Sequence, residues 1–161
     1  MKLSVPENGF WFGKSIMIGA TIRNGGPKLV ERIRKIEAVF SGARKIQWVV
    51  VESDSTDNTA ATIRNLSLSA SNFNGITLNQ LATSLPQRTA RLAYCRNLYL
   101  DALQGQTDSV DFLVVADLDG VNDGLTQESL MTCSGRKDWD VCTANQRSLY
   151  YDIWALRHAI W

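Results

Sequence analysis

Histidine is almost missing from this chain: His158 is the only one in 161 residues. A single imidazole excludes a multi-histidine metal centre and argues against a Ser-His-Asp triad. Cysteine is scarce too. Cys95, Cys133 and Cys142 are odd in number and widely spaced, with no CxxC pair. Reduced thiols in a cytoplasmic protein are therefore expected, rather than a zinc site. No apolar run approaches the roughly 20 residues of a membrane span. Pro6, Glu7 and Asn8 break any signal-peptide core. Neither sign of charge dominates, since 17 basic and 16 acidic residues leave a net charge of +1. That balance supplies no basic field for nucleic acid.

What is present suits a globular domain. A hydrophobic fraction of 45% with 20% charged residues is enough for a real core. No internal repeat, low-complexity tract or linker divides the chain, so residues 1–161 read as a single domain. Ser15–Ile22 reads as a first strand, closed by Arg23-Asn-Gly-Gly26. Leu29, Val30, Ile33, Ile36 and Phe40 then recur at helical spacing, with Gly42 as the stop. Lys45–Val51 is a second buried strand, and a helix follows to about Leu66. Gly75–Leu78 reads as a short strand, Arg88–Leu103 as a long helix, and Asp111–Gly120 as a buried strand that ends in two carboxylates and a glycine. A helix near Thr126–Cys133 and a strand over Trp139–Ala144 complete the series. Alternating strands and helices predict an α/β fold: one three-layer α/β/α domain around a mostly parallel sheet. The apolar, tryptophan-rich end at Trp161 reads as that of a C-terminally short version of a larger fold.

The most chemically suggestive residues stand at strand ends, where such sheets bind ligands. Asp117 and Asp119, at i and i+2 after an apolar strand, can hold a hard divalent cation such as Mg²⁺ or Mn²⁺. The bland alternative is a strand end finished by solvated acids. Glu52-Ser-Asp-Ser-Thr-Asp-Asn-Thr59 follows the second strand. Glu52 and Asp54 can accept hydrogen bonds from a base or ribose, whereas Asp57 and Thr59 read better as helix caps. Arg88, Arg91 and Arg96 precede the acidic strand, and the planar guanidinium suits a diphosphate. Arg88 and Arg91 are helical neighbours, while Arg96 points elsewhere. Further on, Tyr150, Asp152 and Trp154 share one face of an extended segment. Aromatic rings beside a carboxylate suit a sugar, which makes Asp152 the candidate acceptor-binding residue or general base. A packed aromatic edge is the plain alternative.

Taken in order, these motifs resemble those of GT-A-fold glycosyltransferases, a Rossmann-like nucleotide-binding class. Val49–Thr59 is similar to their acidic turn after the second strand, with Glu52 at the first acidic position; Ser53 and Asp54 replace the usual second Asp and Gly. Ile22–Gly26 resembles the first nucleotide-facing loop, which implies a donor-binding role for Arg23. Arg91-Leu-Ala-Tyr-Cys-Arg96-Asn97 resembles the helix preceding the metal motif, and Asp117-Leu-Asp119 stands where the DXD motif belongs. Within the class, Arg88–Asn97 and Tyr150–Arg157 are most similar to the capsule-associated, fungal-type mannosyltransferases and their bacterial relatives. The resemblance implies a metal-dependent enzyme that takes a sugar from a GDP- or UDP-sugar, GDP-mannose among them. Arg23, Glu52, Asp54, Arg88, Arg91, Arg96 and Asp117 would face the donor, and Asp117 and Asp119 the metal. The acceptor would be a glycan or lipid-linked hydroxyl in cell-surface polysaccharide synthesis, reached in the cytoplasm or at a membrane surface.

Two other readings remain open. Asp117-Leu-Asp119-Gly120 also resembles the D-x-D-G motif of haloacid-dehalogenase-type phosphatases, with Asp117 as nucleophile and Asp119 as acid. That family places the motif near its N-terminus and leaves the Glu52–Thr59 and Arg88–Asn97 segments unexplained. The other reading is a catalytically inactive relative that binds nucleotide sugar without transferring it.

Overall fold

The computed structural model describes residues 9–106, 109–134 and 138–143. Strand β1 (Ser15–Ile22) is buried at every position but the half-buried Thr21. It is followed by α1 (Leu29–Val39), β2 (Lys45–Ser53), α2 (Thr59–Ser69), β3 (Phe73–Leu78), α3 (Leu81–Ser84), α4 (Arg88–Gln104), β4 (Phe112–Asp117) and α5 (Gln127–Ser134). The four strands form one sheet in the order β3-β2-β1-β4, and every pairing is parallel. The expected α/β architecture with helices on both faces is therefore present, as a Rossmann-like α/β/α arrangement.

The period-2 alternation of the strands divides the core. Ile16, Ile18, Ala20, Ile22, Trp48 and Val50 face α1 and α2, where they meet Leu29, Ile33, Ile36 and Ile63. Met17 and Val49 face α4 and pack with Tyr99, while Val51 meets Cys95 and Leu81. Gly19 lies on that second face. A Cβ built there would stand 2.7 Å from the Tyr99 ring, so only glycine lets α4 lie this close to the sheet.

Register fixes the functional geometry. Thr21 of β1 lies opposite Asp117 of β4, and Ile22 lies opposite Glu52 of β2. The chain runs from β1 towards β3 in one direction and reaches β4 on the other side, so the reversal of strand order falls between β1 and β4. In open α/β sheets that crevice, at the carboxyl ends, is where ligands bind.

Two expectations are corrected. Trp139–Thr143 is not a strand. The Trp139 ring instead packs against Phe10 and Phe112, with centroids 5.6 and 6.0 Å away, and its Nε1 donates to the Cys133 carbonyl at 3.1 Å. A large indole is better used closing this aromatic cluster than extending an edge. Cys133 and Cys142 are joined in a disulfide, contrary to the reduced pair expected from their spacing, and only Cys95 is free. The bond becomes possible because the chain folds back through Trp139 and brings the two Cα atoms to 6.5 Å. Among the described residues, no helix is long and apolar enough to cross a membrane.

Candidate functional site

The carboxyl rim of the sheet has two halves. The first is built from the β1–α1 and β2–α2 loops, which hydrogen-bond to each other at nearly every step. The Asn24 amide donates to Ser55 Oγ (3.0 Å), the Gly25 amide to Thr59 Oγ1 (2.8 Å) and the Gly26 amide to Asp57 Oδ2 (3.0 Å). In return, the Thr56 amide donates to Asn24 Oδ1 at 2.8 Å. Asn24 and Asp54 both adopt left-handed φ angles, of 53° and 55°, a region Asn and Asp tolerate better than most residues. A Gly-Gly turn before a helix often offers its N–H groups to phosphate. Here side chains occupy those groups, so the loop is a latch.

Glu52 lies beneath the latch and is 1% exposed. Its Oε1 accepts the Ser55 amide at 2.9 Å, while Oε2 is buried with no hydrogen-bond partner. An unmatched buried carboxylate oxygen costs stability and marks a place where a donor is missing. The two neighbouring candidates are more committed. Asp54 receives the Ala82 amide at 3.1 Å and so caps α3, a short helix the sequence reading did not expect. Arg23 donates through Nε to the Asp54 carbonyl at 3.1 Å. Asp57 holds the Thr59 amide at 2.9 Å as well as Gly26, and its bonds to Thr59 keep its carboxyl below the usual range. This matches the capping role expected of it.

The second half is the turn after β4. Asp117 is open to solvent on one side, but the protein around its carboxyl and then the Asp119 charge push its pKa up. Arg96, reaching from α4, partly offsets this. Arg96, Asp117 and Asp119 thus lie within electrostatic reach of one another, with no ion pair between Arg96 and either acid among the described residues. Asp119 Oδ1 accepts the Val121 amide at 3.1 Å, and Asn122 Nδ2 donates to the Asp117 carbonyl at 2.6 Å. Among the described residues, no group of three His, Cys, Asp or Glu side chains is placed to hold a metal.

The remaining arginines do not join them. Arg91 turns its Nη1 to the Leu85 and Pro86 carbonyls, at 2.8 and 2.6 Å, and so fixes the α3–α4 connection. Arg88 is exposed at the start of α4 and makes no hydrogen bond or ion pair among the described residues. Asp152, with Tyr150 and Trp154, lies outside the described residues. The sequence reading also missed Arg32. It sits within the apolar stripe Leu29-Ile33-Ile36 of α1, and a charge there is the signal that could have revealed it. Comparison with protein-family models, with curated proteins and with solved structures finds no match for this chain.

Proposed function

We propose that this chain is a metal-dependent glycosyltransferase of GT-A type that uses a nucleoside-diphosphate sugar. One observation carries the reading: the buried, half-unpartnered Glu52 ends the strand on one side of β1, and Asp117, followed closely by Asp119, ends the strand on the other, at the same rim. A donor with a base at one end and a diphosphate at the other would answer both needs. Glu52 Oε2 would accept an N–H of the base. Arg96 would face the diphosphate, beside the carboxylates.

The donor set suits a hard cation. Asp117 and Asp119 offer oxygen only, and a cation would relieve the cost that burial and the neighbouring Asp119 charge place on ionised Asp117. Water and diphosphate oxygens would complete the shell. Bound Mn²⁺ or Mg²⁺ would supply Lewis-acid stabilisation of the charge growing on the leaving diphosphate. The chain's own part is to hold the two carboxylates, keep Arg96 beside them and orient the nucleoside through Glu52. Transfer to a glycan or lipid-linked hydroxyl would then need a base on the acceptor side, the role proposed for Asp152.

Calorimetric titration of GDP, UDP and their sugar conjugates, with and without Mn²⁺, tests this reading. Metal-dependent binding of at least one sugar nucleotide, lost in Asp119→Ala, is expected. Equal behaviour of wild type and variant, with no nucleotide bound, would sink the proposal. Phosphate release from simple phosphomonoesters would favour the phosphatase instead.

A further inference from the structure

We infer that Arg32, on α1, is a positioning residue for the Asp117–Asp119 carboxylates; the inference rests on the metal-dependent reading above. The side chain is only 18% exposed, although it carries a permanent charge on the second turn of a surface helix. Its guanidinium reaches under the turn after β4. Nη1 donates to the carbonyl of Leu118, the residue between the two acids, at 3.3 Å, and also reaches the Gly25 carbonyl at 3.4 Å. Nε lies 3.4 Å from Asp123 Oδ1, an ion pair whose geometry falls short of a hydrogen bond. One planar fork thus touches the latch loop, the centre of the acidic pair and the far end of its turn. No other cationic side chain type can span three such points in one plane.

A second, independent feature points the same way. Gly120 has φ of +110°, and a Cβ there would lie 2.8 Å from Arg32 Nη2. The residue after Asp119 therefore has to be glycine for its backbone conformation, and a Cβ there would push the guanidinium aside. Leu118 is itself 1% exposed and packed in the core. With its side chain held from below and its carbonyl held by Arg32, the peptide leading into Asp119 has little freedom to rotate. Arg32 does for the acids what partners behind a metal ligand commonly do: it fixes their direction without touching the ion.

The experiment compares Arg32→Met, Arg32→Lys and Gly120→Ala with wild type in the full chain. It measures Mn²⁺ affinity by the electron-spin signal of free ion, binding of nucleoside diphosphate without metal, and thermal unfolding in chelator. All three variants are expected to weaken Mn²⁺ binding about ten- to hundredfold, with metal-free nucleotide binding through the Glu52 half falling far less, since a single long contact to the Gly25 carbonyl joins Arg32 to that loop. Lysine keeps the charge but not the fork, so it should not rescue. A purely structural role would instead lower unfolding temperature and weaken both kinds of binding in parallel, which would overturn the inference. If Arg32→Met fails to fold, Arg32→Lys decides, because it keeps the charge and the aliphatic stem but not the fork; wild-type Mn²⁺ affinity in that variant overturns the positioning role. A wild type that binds no Mn²⁺ overturns the glycosyl-transfer reading and this inference together. Wild-type binding with variants equal to it overturns the positioning role alone.

Discussion

The two halves of the carboxyl rim solve opposite problems. On the Glu52 side, loop amides are already matched to side chains, and one buried carboxylate oxygen is left over. On the Asp117 side, the backbone is held but the charge is not fully matched, and burial together with the Asp119 charge raises the cost of ionising Asp117. The first half is preformed and short of one donor. The second is held in shape and short of positive charge. In the proposed reading, a ligand that brings a single N–H to one side and a cation with phosphates to the other would satisfy both.

The contrast can be broken most severely at Asp119. Replacing it with alanine should reduce metal-dependent sugar transfer or donor hydrolysis about 1,000-fold, because several kcal/mol of stabilisation of the leaving group is lost. Steady-state rates at saturating Mn²⁺ check this, and an unfolding temperature equal to or above wild type is expected alongside. Next comes the latch. Thr59→Val leaves the buried Gly25 amide without an acceptor and should cost about 1–3 kcal/mol in denaturant unfolding. Full stability in that variant would mean the loops are not coupled as described.

Glu52→Gln sharpens the comparison more gently. Nucleotide affinity should fall about tenfold, the worth of one hydrogen bond to a charged group. Stability without ligand should hold or rise, since an unmatched buried charge is removed. A loss of stability with unchanged affinity would assign Glu52 to the fold instead. The smallest effect concerns pH. The folded pKa of Asp117 lies above its unfolded value, so its ionisation penalises the folded state as pH rises from about 4. Asp117→Asn should therefore unfold at a higher temperature than wild type at pH 7 in chelator, and the gain should vanish as pH falls towards 4.

Much of the fold was legible because its signals are local. The apolar run Ile16–Ala20 and the stripe Leu29, Ile33, Ile36 each report their own period, and both elements form as read. The parallel sheet followed from alternation alone. Trp139 misled because Trp139, Val141 and Thr143 recur at every second position like a strand, and nothing nearby in sequence reveals that Phe10 and Phe112 wait for its ring. The disulfide was hidden for the same reason. At the site, the acids at strand ends could be read from position, but their division of labour could not. Asp54 looked equivalent to Glu52 until the cap on α3 showed it committed to the backbone. Arg91 resembled a phosphate ligand until its carbonyl partners were visible. Arg32 was concealed by its place among leucine and isoleucines, where the eye discounts a single charge.

The close seat of α4 on Gly19 carries a consequence for how this rim is tuned. Tyr99 presses its ring on the sheet at Gly19, and Arg96 stands one turn before it on the same helix. How near the Arg96 charge comes to Asp117 therefore depends on a contact inside the core, like the bridge under a string. A single added methyl group at position 19 would lift the helix and detune the charge balance at the rim, though no rim residue had changed.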